Sequence, residues 1–89
     1  MTEFTIQGNL ERVNKDKYEF YLREGRNLYT IHATKDSGLI ESLNELSLDS
    51  KIKVTGIILK DDLGFDIFVC RKATMLLGND SSILFGNPK

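Results

Sequence analysis

The sequence predicts an all-β fold with one helix: a small closed barrel of five strands in the order β-β-β-α-β-β. Apolar and polar residues alternate over five stretches, which is typical of half-buried strands. The spacing becomes helical once, after the third stretch. Gly8 and Gly56 interrupt two long strands, as expected where a strand bends sharply. A chain of 89 residues must also protect its strand edges, and closure into a barrel achieves this.

The alternation gives the approximate bounds of the five strands. They are residues 3–13, 18–23, 28–33, 50–59 and 65–75. Residues 24–27, which contain Gly25, predict a bulged or longer hairpin loop between the second and third strands. Residues 60–64, KDDLG, predict a tight turn in which Gly64 adopts a positive φ angle. Most connections are therefore short, and the exception lies between the third and fourth strands.

This longer connection predicts a short helix, because its apolar residues recur at helical spacing and form one stripe. The stripe consists of Leu39, Ile40, Leu43 and Leu46, and the polar residues that face away are Glu41, Asn44 and Glu45. Asp36, Ser37 or Gly38 can cap its beginning. We expect the stripe to face the barrel and the helix to plug one of its ends.

Gly56 lies in the middle of the fourth strand, SKIKVTGIIL. A glycine there indicates a bulge, a bend or the close approach of another segment. Together with Gly8, we interpret it as the bend that lets the strand wrap around a barrel. A bulge at this point would let Ile57 and Ile58 both reach apolar surroundings.

This order of elements resembles the OB-fold, a five-stranded Greek-key barrel. The resemblance covers roughly residues 3–75, and LDSKIKVTGIIL is similar to the loose pattern of that superfamily. The helix before the fourth strand distinguishes it from SH3-like barrels. We predict one barrel domain, residues 1–77, followed by an extension, residues 78–89. The apolar triplet Ile83, Leu84 and Phe85 in the extension has two interpretations: an extra short strand on the barrel, or a contact with a partner by strand addition.

Composition excludes several classes of protein. A net charge of −1 argues against bulk electrostatic capture of nucleic acid, although the acids concentrate in residues 36–50. The single cysteine, Cys70, and the single histidine, His32, cannot supply four zinc ligands. No apolar run is long enough to cross a bilayer, and the N-terminus does not resemble a secretory signal. We therefore expect a cytoplasmic protein that has no membrane association and no cofactor.

The sequence contains no nucleotide-binding glycine loop and no nucleophile motif. Asp61 and Asp62 fit the predicted turn better than a catalytic pair. His32 lacks an identifiable nucleophile. We expect that this chain is not an enzyme.

The OB-fold resemblance implies a binding face on the outward side of strands two and three, flanked by the loops that follow strands one and four. Placing Phe20, Leu22, Tyr29 and Ile31 inward leaves a set of candidate residues for single-stranded nucleic acid. This set consists of Tyr21, Arg23, Arg26 and His32, with Lys15 and Lys17 in the first loop and Lys60 in the second. Tyr21 is the candidate for base stacking. In the alternative interpretation, these are ordinary exposed strand residues.

The runner-up hypothesis is a module for protein interaction or homo-oligomerisation with no role in nucleic-acid binding. In the fifth strand, FDIFVCRKATML, both faces are apolar at the start. Phe65, Ile67 and Val69 form one face, and Phe68 and Cys70 form the other. This hypothesis assigns partner contacts to Phe68 together with the triplet Ile83, Leu84 and Phe85.

Overall fold

Six strands and one short helix form the chain in a computed structural model, which describes residues 2–78 and 80–85. The elements are β1 (Phe4–Asn14), β2 (Glu19–Glu24), β3 (Asn27–His32), α1 (Leu39–Asn44), β4 (Lys51–Lys60), β5 (Asp66–Leu77) and β6 (Asp80–Phe85). A single 3-10 turn, Lys35–Ser37, precedes α1. Within these residues, no helix has the length and apolarity needed to cross a bilayer.

The first five strands close into a barrel. Neighbouring strands run in the order β3-β2-β1-β4-β5, so that β4, β1, β2 and β3 form a Greek key. A parallel pair closes the circle, with Ile31 opposite Phe68 and His32 opposite Val69. The predicted five-stranded Greek-key barrel with one helix is confirmed. Strand β6 pairs antiparallel with the second half of β5 and lies beside the closed ring.

The interior of the barrel is filled by apolar side chains from all five ring strands and α1. They are Leu10, Phe20, Leu22, Ile31, Leu39, Ile40, Leu43, Ile52, Val54, Phe68, Cys70 and Ala73. Leu46, just beyond α1, packs against this core and is partly buried, while Glu41 and Asn44 are exposed. The predicted stripe of α1 therefore faces the core, as expected. Gly38, with a φ angle of 70°, precedes the first residue of the helix.

Two irregularities in the strand pairing change which side chains face outward. In β1, Leu10 lies opposite Leu22 and Arg12 opposite Tyr21, so Glu11 is an extra residue. In β5, the residues opposite Thr55 and Gly56 are Lys72 and Cys70, so Arg71 is extra. Such bulges shift the alternation of every residue beyond them. One sequence-derived register therefore does not hold along either strand.

Gly56 is required by the close approach of β5. A Cβ atom at this position would lie 2.2 Å from the carbonyl oxygen of Val69 and 2.9 Å from the ring of Phe68. The bulge opposite Gly56 belongs to β5. In β4, burial does not alternate past Gly56: Gly56 and Ile57 are both buried, whereas Ile58 is 44% exposed. The prediction that both isoleucines reach apolar surroundings is wrong for Ile58.

Both predicted hairpin loops are tight turns. Glu24 pairs with Asn27, which leaves only Gly25 and Arg26 in the loop, so the prediction of a longer or bulged loop is wrong. In the KDDLG turn, Oδ1 of Asp61 accepts hydrogen bonds from the backbone N–H groups of Leu63 and Phe65, each at 2.9 Å. Gly64 has a φ angle of 88°, which confirms that prediction.

The face of β5 that the runner-up hypothesis assigned to a partner is part of the core. Phe68 is 7% exposed and Cys70 is 1% exposed, because the ring of Phe68 occupies the space above Gly56. Phe68 is therefore not available for a partner contact. Leu84 of β6 packs against the core. The side chains of Ile83 and Phe85 lie outside the described residues.

Candidate functional site

The outward face of β2 and β3 has the register that the sequence predicts. Phe20, Leu22 and Ile31 are fully buried, so the residues between them face outward. Arg23 and Thr30 are exposed, and Tyr21 and His32 are half-buried. Tyr29 packs against the core, as predicted. The barrel therefore presents Tyr21, Arg23 and His32 together on one surface.

A residue of β1 joins this surface because of the bulge at Glu11. Strict alternation from Leu10 would turn Arg12 inward, but the extra residue turns it outward, opposite Tyr21. The ζ carbon of Arg12 lies 5.0 Å from the centroid of the Tyr21 ring, within the range of a cation–π contact. Glu11, Arg12, Tyr21 and Leu28 line a groove of about 340 Å³. We call Arg12, Tyr21, Arg23 and Leu28 the stacking face.

Neighbouring side chains hold Tyr21 in place. Its hydroxyl donates a hydrogen bond of 3.0 Å to Oε1 of Glu19. The other carboxylate oxygen of Glu19 lies 3.4 Å from Nε2 of His32. The ring of Tyr21 contacts Arg12 and its hydroxyl contacts Glu19. These two contacts orient the ring before any ligand binds, which lowers the entropy cost of binding. His32 therefore affects the position of the Tyr21 ring indirectly, through its contact with Glu19.

Carboxylates compensate two of the predicted cations. Nε of Arg23 donates to both carboxylate oxygens of Glu11 at 2.9 Å, and its Nη2 lies 2.7 Å from Oε2. The hydrogen bond from Arg23 lowers the pKa of Glu11, and the same bond raises the pKa of Arg23. Nζ of Lys60 lies 2.7 Å from a carboxylate oxygen of Asp66. A phosphate would therefore compete with a carboxylate for each of these two cations.

The other predicted residues lie at the two ends of the stacking face. Lys15 and Lys17 are exposed in the turn before β2. Arg26 is exposed in the turn after β2. Since β3 and β5 run parallel, the loops that precede them lie at the same end of the barrel. Arg26 and Lys60 thus flank one end, and Lys15 and Lys17 flank the other.

The candidate set from the sequence leaves out three residues around this surface. The outward position of Arg12 depends on the bulge at Glu11, for which the sequence gives no clear signal. Leu28 is 50% exposed, and Phe65, just before β5, is 66% exposed. The alternation of FDIFV placed Phe65 on one of two apolar faces, but the sequence did not reveal which face turned outward. The surface is therefore more apolar than predicted.

Few groups in the described part of the chain are placed for catalysis. Burial raises the pKa of the Cys70 thiol to about 12, which keeps it protonated and unreactive near neutral pH. Asp61 stabilises its own turn. Residues 2–78 and 80–85 contain no group of three or more His, Cys, Asp or Glu side chains suited to a metal ion.

The closed barrel, its Greek-key order and the helix between β3 and β4 define the chain as an OB-fold protein. Among solved structures, it is similar to the mitochondrial single-stranded DNA-binding protein of S. cerevisiae, with a TM-score of 0.56 and 16% identity. The match covers 99% of this chain and 98% of that one. No protein-family model matches the sequence, and no curated protein matches it. At this identity, the likeness establishes the fold.

Proposed function

We propose that this chain is a small binding module that takes single-stranded nucleic acid on its stacking face. The observation that carries the proposal is the groove in which Arg12, Tyr21 and Leu28 meet. An unpaired base can stack on the ring of Tyr21, which typically contributes about 1 to 3 kcal/mol per base. Leu28 offers apolar contact beside it, and Arg12 can contact either the ring or a phosphate.

The charges around the stacking face indicate modest affinity. Glu11 and Glu19 lie on the same surface as Arg12 and Arg23, so the net positive potential is small. Binding would depend more on stacking than on the release of counterions. The balanced charges therefore support a protein that binds single-stranded nucleic acid weakly, or one that binds it as part of a larger complex.

The test is a titration of a fluorescently labelled single-stranded oligonucleotide, measured by anisotropy at low and at physiological salt. We expect the affinity to fall as salt rises. Tyr21→Ala should weaken binding by roughly 5- to 150-fold, which corresponds to the loss of about one stacked base.

Tyr21→Phe is the matched control, because it keeps the ring and removes only the hydrogen bond to Glu19. It should retain most of the affinity. If Tyr21→Ala binds as tightly as the wild type while its circular dichroism spectrum is unchanged, the stacking face is not the binding site.

We also propose that the chain is not an enzyme, needs no cofactor and acts in the cytoplasm. The first statement is supported by the buried thiol of Cys70 and by the structural role of Asp61 in its turn. The location is supported by the presence of only one cysteine, since secreted domains of this size often contain disulfides. Incubation with labelled single-stranded DNA and RNA should leave both substrates intact.

A second candidate function is protein interaction or self-association, now through a different surface. Leu63 is 82% exposed and Phe65 is 66% exposed at the β4–β5 turn, and Leu59 is 42% exposed in the strand leading to it. We call these three residues the apolar tip. Exposed apolar residues close together favour contact with another protein surface. A complete absence of oligonucleotide binding, combined with a dimer by light scattering, would favour this function.

A further inference from the structure

We infer a second contact site for nucleic acid on the side of the barrel away from β2 and β3, where it would hold phosphates. This inference rests on the proposed function. The site is the outward face formed by the first half of β4 and the second half of β5. Lys53, Thr55, Lys72, Thr74 and Leu76 line a groove of about 250 Å³ there. We call Lys51, Lys53, Lys72, Thr55 and Thr74 the lysine face.

The strand register brings these residues to one surface. Ile52 and Val54 of β4 are buried, as is Ala73 of β5, so the residues that alternate with them face outward. Lys53 lies opposite Thr74, and Thr55 lies opposite Lys72. The two lysines are therefore diagonal neighbours across the strand pair. Lys51, two positions before Lys53, is also exposed.

Within the part of the chain that the structure describes, none of the three lysines has a carboxylate oxygen within 4.0 Å, unlike Arg23 and Lys60. The outward residues of β1 beside them are uncharged. The register places Asn9, Gln7 and Thr5 opposite Lys51, Lys53 and Thr55. The lysine face is therefore basic, although the whole chain has a net charge of −1.

Such an arrangement costs stability. Like charges that are neighbours across a strand pair repel one another. Protection of a sheet edge does not explain the lysines of β4, because β4 pairs with both β1 and β5 and is not an edge strand. An anion between Lys53 and Lys72 would remove the repulsion. The threonine hydroxyls beside them are neutral hydrogen-bond donors, which are common partners of phosphate oxygens.

The spacing of the lysines suits an extended polyanion. Alternate residues in a strand are about 6.6 to 6.8 Å apart, similar to the separation of successive phosphates in an extended single strand. None of the described residues that line this groove is aromatic, so contacts with them would involve the backbone of the nucleic acid and not the bases. The site would therefore be insensitive to sequence. A strand long enough to pass around β1 would use both faces.

The experiment compares Lys53→Gln/Lys72→Gln with the wild type, using a short single-stranded oligonucleotide that covers one face and a longer one that can reach both. With the longer strand, we expect affinity at low salt to fall several-fold and the slope of log K against log salt to lose about 1.4, or about 0.7 for each lost phosphate contact. The short strand should bind both proteins equally.

Lys72→Gln and Lys35→Gln form a matched pair of single-charge variants. Lys35 lies in the 3-10 turn, 5.5 Å from the ring of Tyr18 and outside the lysine face. Only Lys72→Gln should lower the salt slope. Because the glutamines relieve like-charge repulsion, the double variant should melt at the wild-type temperature or above it, which separates lost binding from lost folding.

The outcomes distinguish the two proposals. If the wild type binds and Tyr21→Ala weakens it, but the double lysine variant keeps the full salt slope, only the second site is overturned; an acidic protein partner would then become the better ligand for the lysine face. If the wild type binds no oligonucleotide, the proposed function and this inference both fail.

Discussion

Tyr21 shows how contacts between single residues fix the geometry of the stacking face. Its hydroxyl is bonded to Glu19 and its ring is covered by Arg12, so two contacts fix one aromatic ring. A fixed ring loses little rotamer entropy when a base stacks on it. In the proposed function, the contact with Arg12 also means that a base would have to displace the guanidinium or stack beside it. A well-oriented ring that is already partly covered is consistent with a modest affinity.

Glu11 is the residue that would most directly oppose the proposed binding of nucleic acid on this face. Its pKa is lowered by the hydrogen bond from Arg23, so the carboxylate is charged near neutral pH and occupies the guanidinium. Glu11→Gln should release Arg23 to contact a phosphate. We expect several-fold tighter binding of a single-stranded oligonucleotide, and a salt slope that is steeper by about 0.7.

Glu24→Gln is the control for Glu11→Gln. It changes the net charge equally, but Glu24 is exposed at the end of β2 and is not an ion-pair partner of Arg23. If both variants raise the affinity by the same factor, the gain reflects overall charge and not the release of Arg23.

Among the elements, β1 and β5 determine the surface through their bulges. The bulge at Glu11 brings Arg12 onto the ring of Tyr21. The bulge at Arg71 allows buried side chains both before and after it along β5. Phe68 and Cys70 precede the bulge, and Ala73 follows it. Both strands contribute to two sides of the barrel, and a bulge accommodates the strong local twist that this requires.

Gly56 should tolerate no side chain, because β5 crosses too close to it. Gly56→Ala would place a Cβ atom 2.2 Å from the carbonyl oxygen of Val69, so the strand pair must shift. Overpacking of this kind costs about 1 to 3 kcal/mol, which corresponds to a fall in melting temperature of roughly 5 to 20 °C in a domain of this size. Thermal unfolding followed by circular dichroism measures it.

Thr55→Ala, one residue earlier in β4, is the comparison for Gly56→Ala. Among the described side chains, the Thr55 hydroxyl has only an exposed contact of 3.4 Å with that of Thr5, so its loss should change the melting temperature by a few degrees at most. A Gly56→Ala protein as stable as the Thr55→Ala protein would mean that β5 does not approach β4 as closely as described.

Sequence reasoning was successful for β2 and β3 and unsuccessful for the start of β5. In β2 the buried positions are Phe20 and Leu22, and the residues between them are polar or amphipathic, so only one register is plausible. In β5 both faces are apolar. The choice between Phe65 and Phe68 as the inward residue depends on the space above Gly56, which belongs to another strand.

At the scale of the whole molecule, three surfaces with different chemistry surround one core. The stacking face is aromatic with balanced charges, the lysine face is basic, and the apolar tip presents exposed apolar side chains beside the charged residues of the KDDLG turn. The stacking face and the lysine face are separated because β1 pairs with β2 through its second half and with β4 through its first half. The proposed nucleic-acid ligand and the proposed protein contact would therefore use different residues of one small barrel.

The apolar tip allows a test of self-association. We expect Leu63→Ser/Phe65→Ser to reduce any concentration-dependent rise in mass measured by sedimentation or light scattering. Leu63 is 82% exposed, so the change should have little effect on the melting temperature, as is usual for surface substitutions.

Leu28→Ser is the matched control for the apolar tip, since it removes an exposed leucine from the stacking face. It should weaken oligonucleotide binding and leave the mass unchanged. A wild-type protein that remains monomeric at every concentration would remove the support for self-association through the apolar tip.

The sequence by itself determined the barrel class, the helix that packs against its core, the inward register of β2 and β3 and the turn at Asp61 and Gly64. These features depend on local periodicity and turn chemistry, which act over a few neighbouring residues. Only the tertiary structure decided that Arg12 covers Tyr21, that Phe68 lies inward and that Lys53 and Lys72 share one surface. Those arrangements depend on bulges and on close contacts between residues far apart in the chain, and the spacing of residues within one strand does not reveal them.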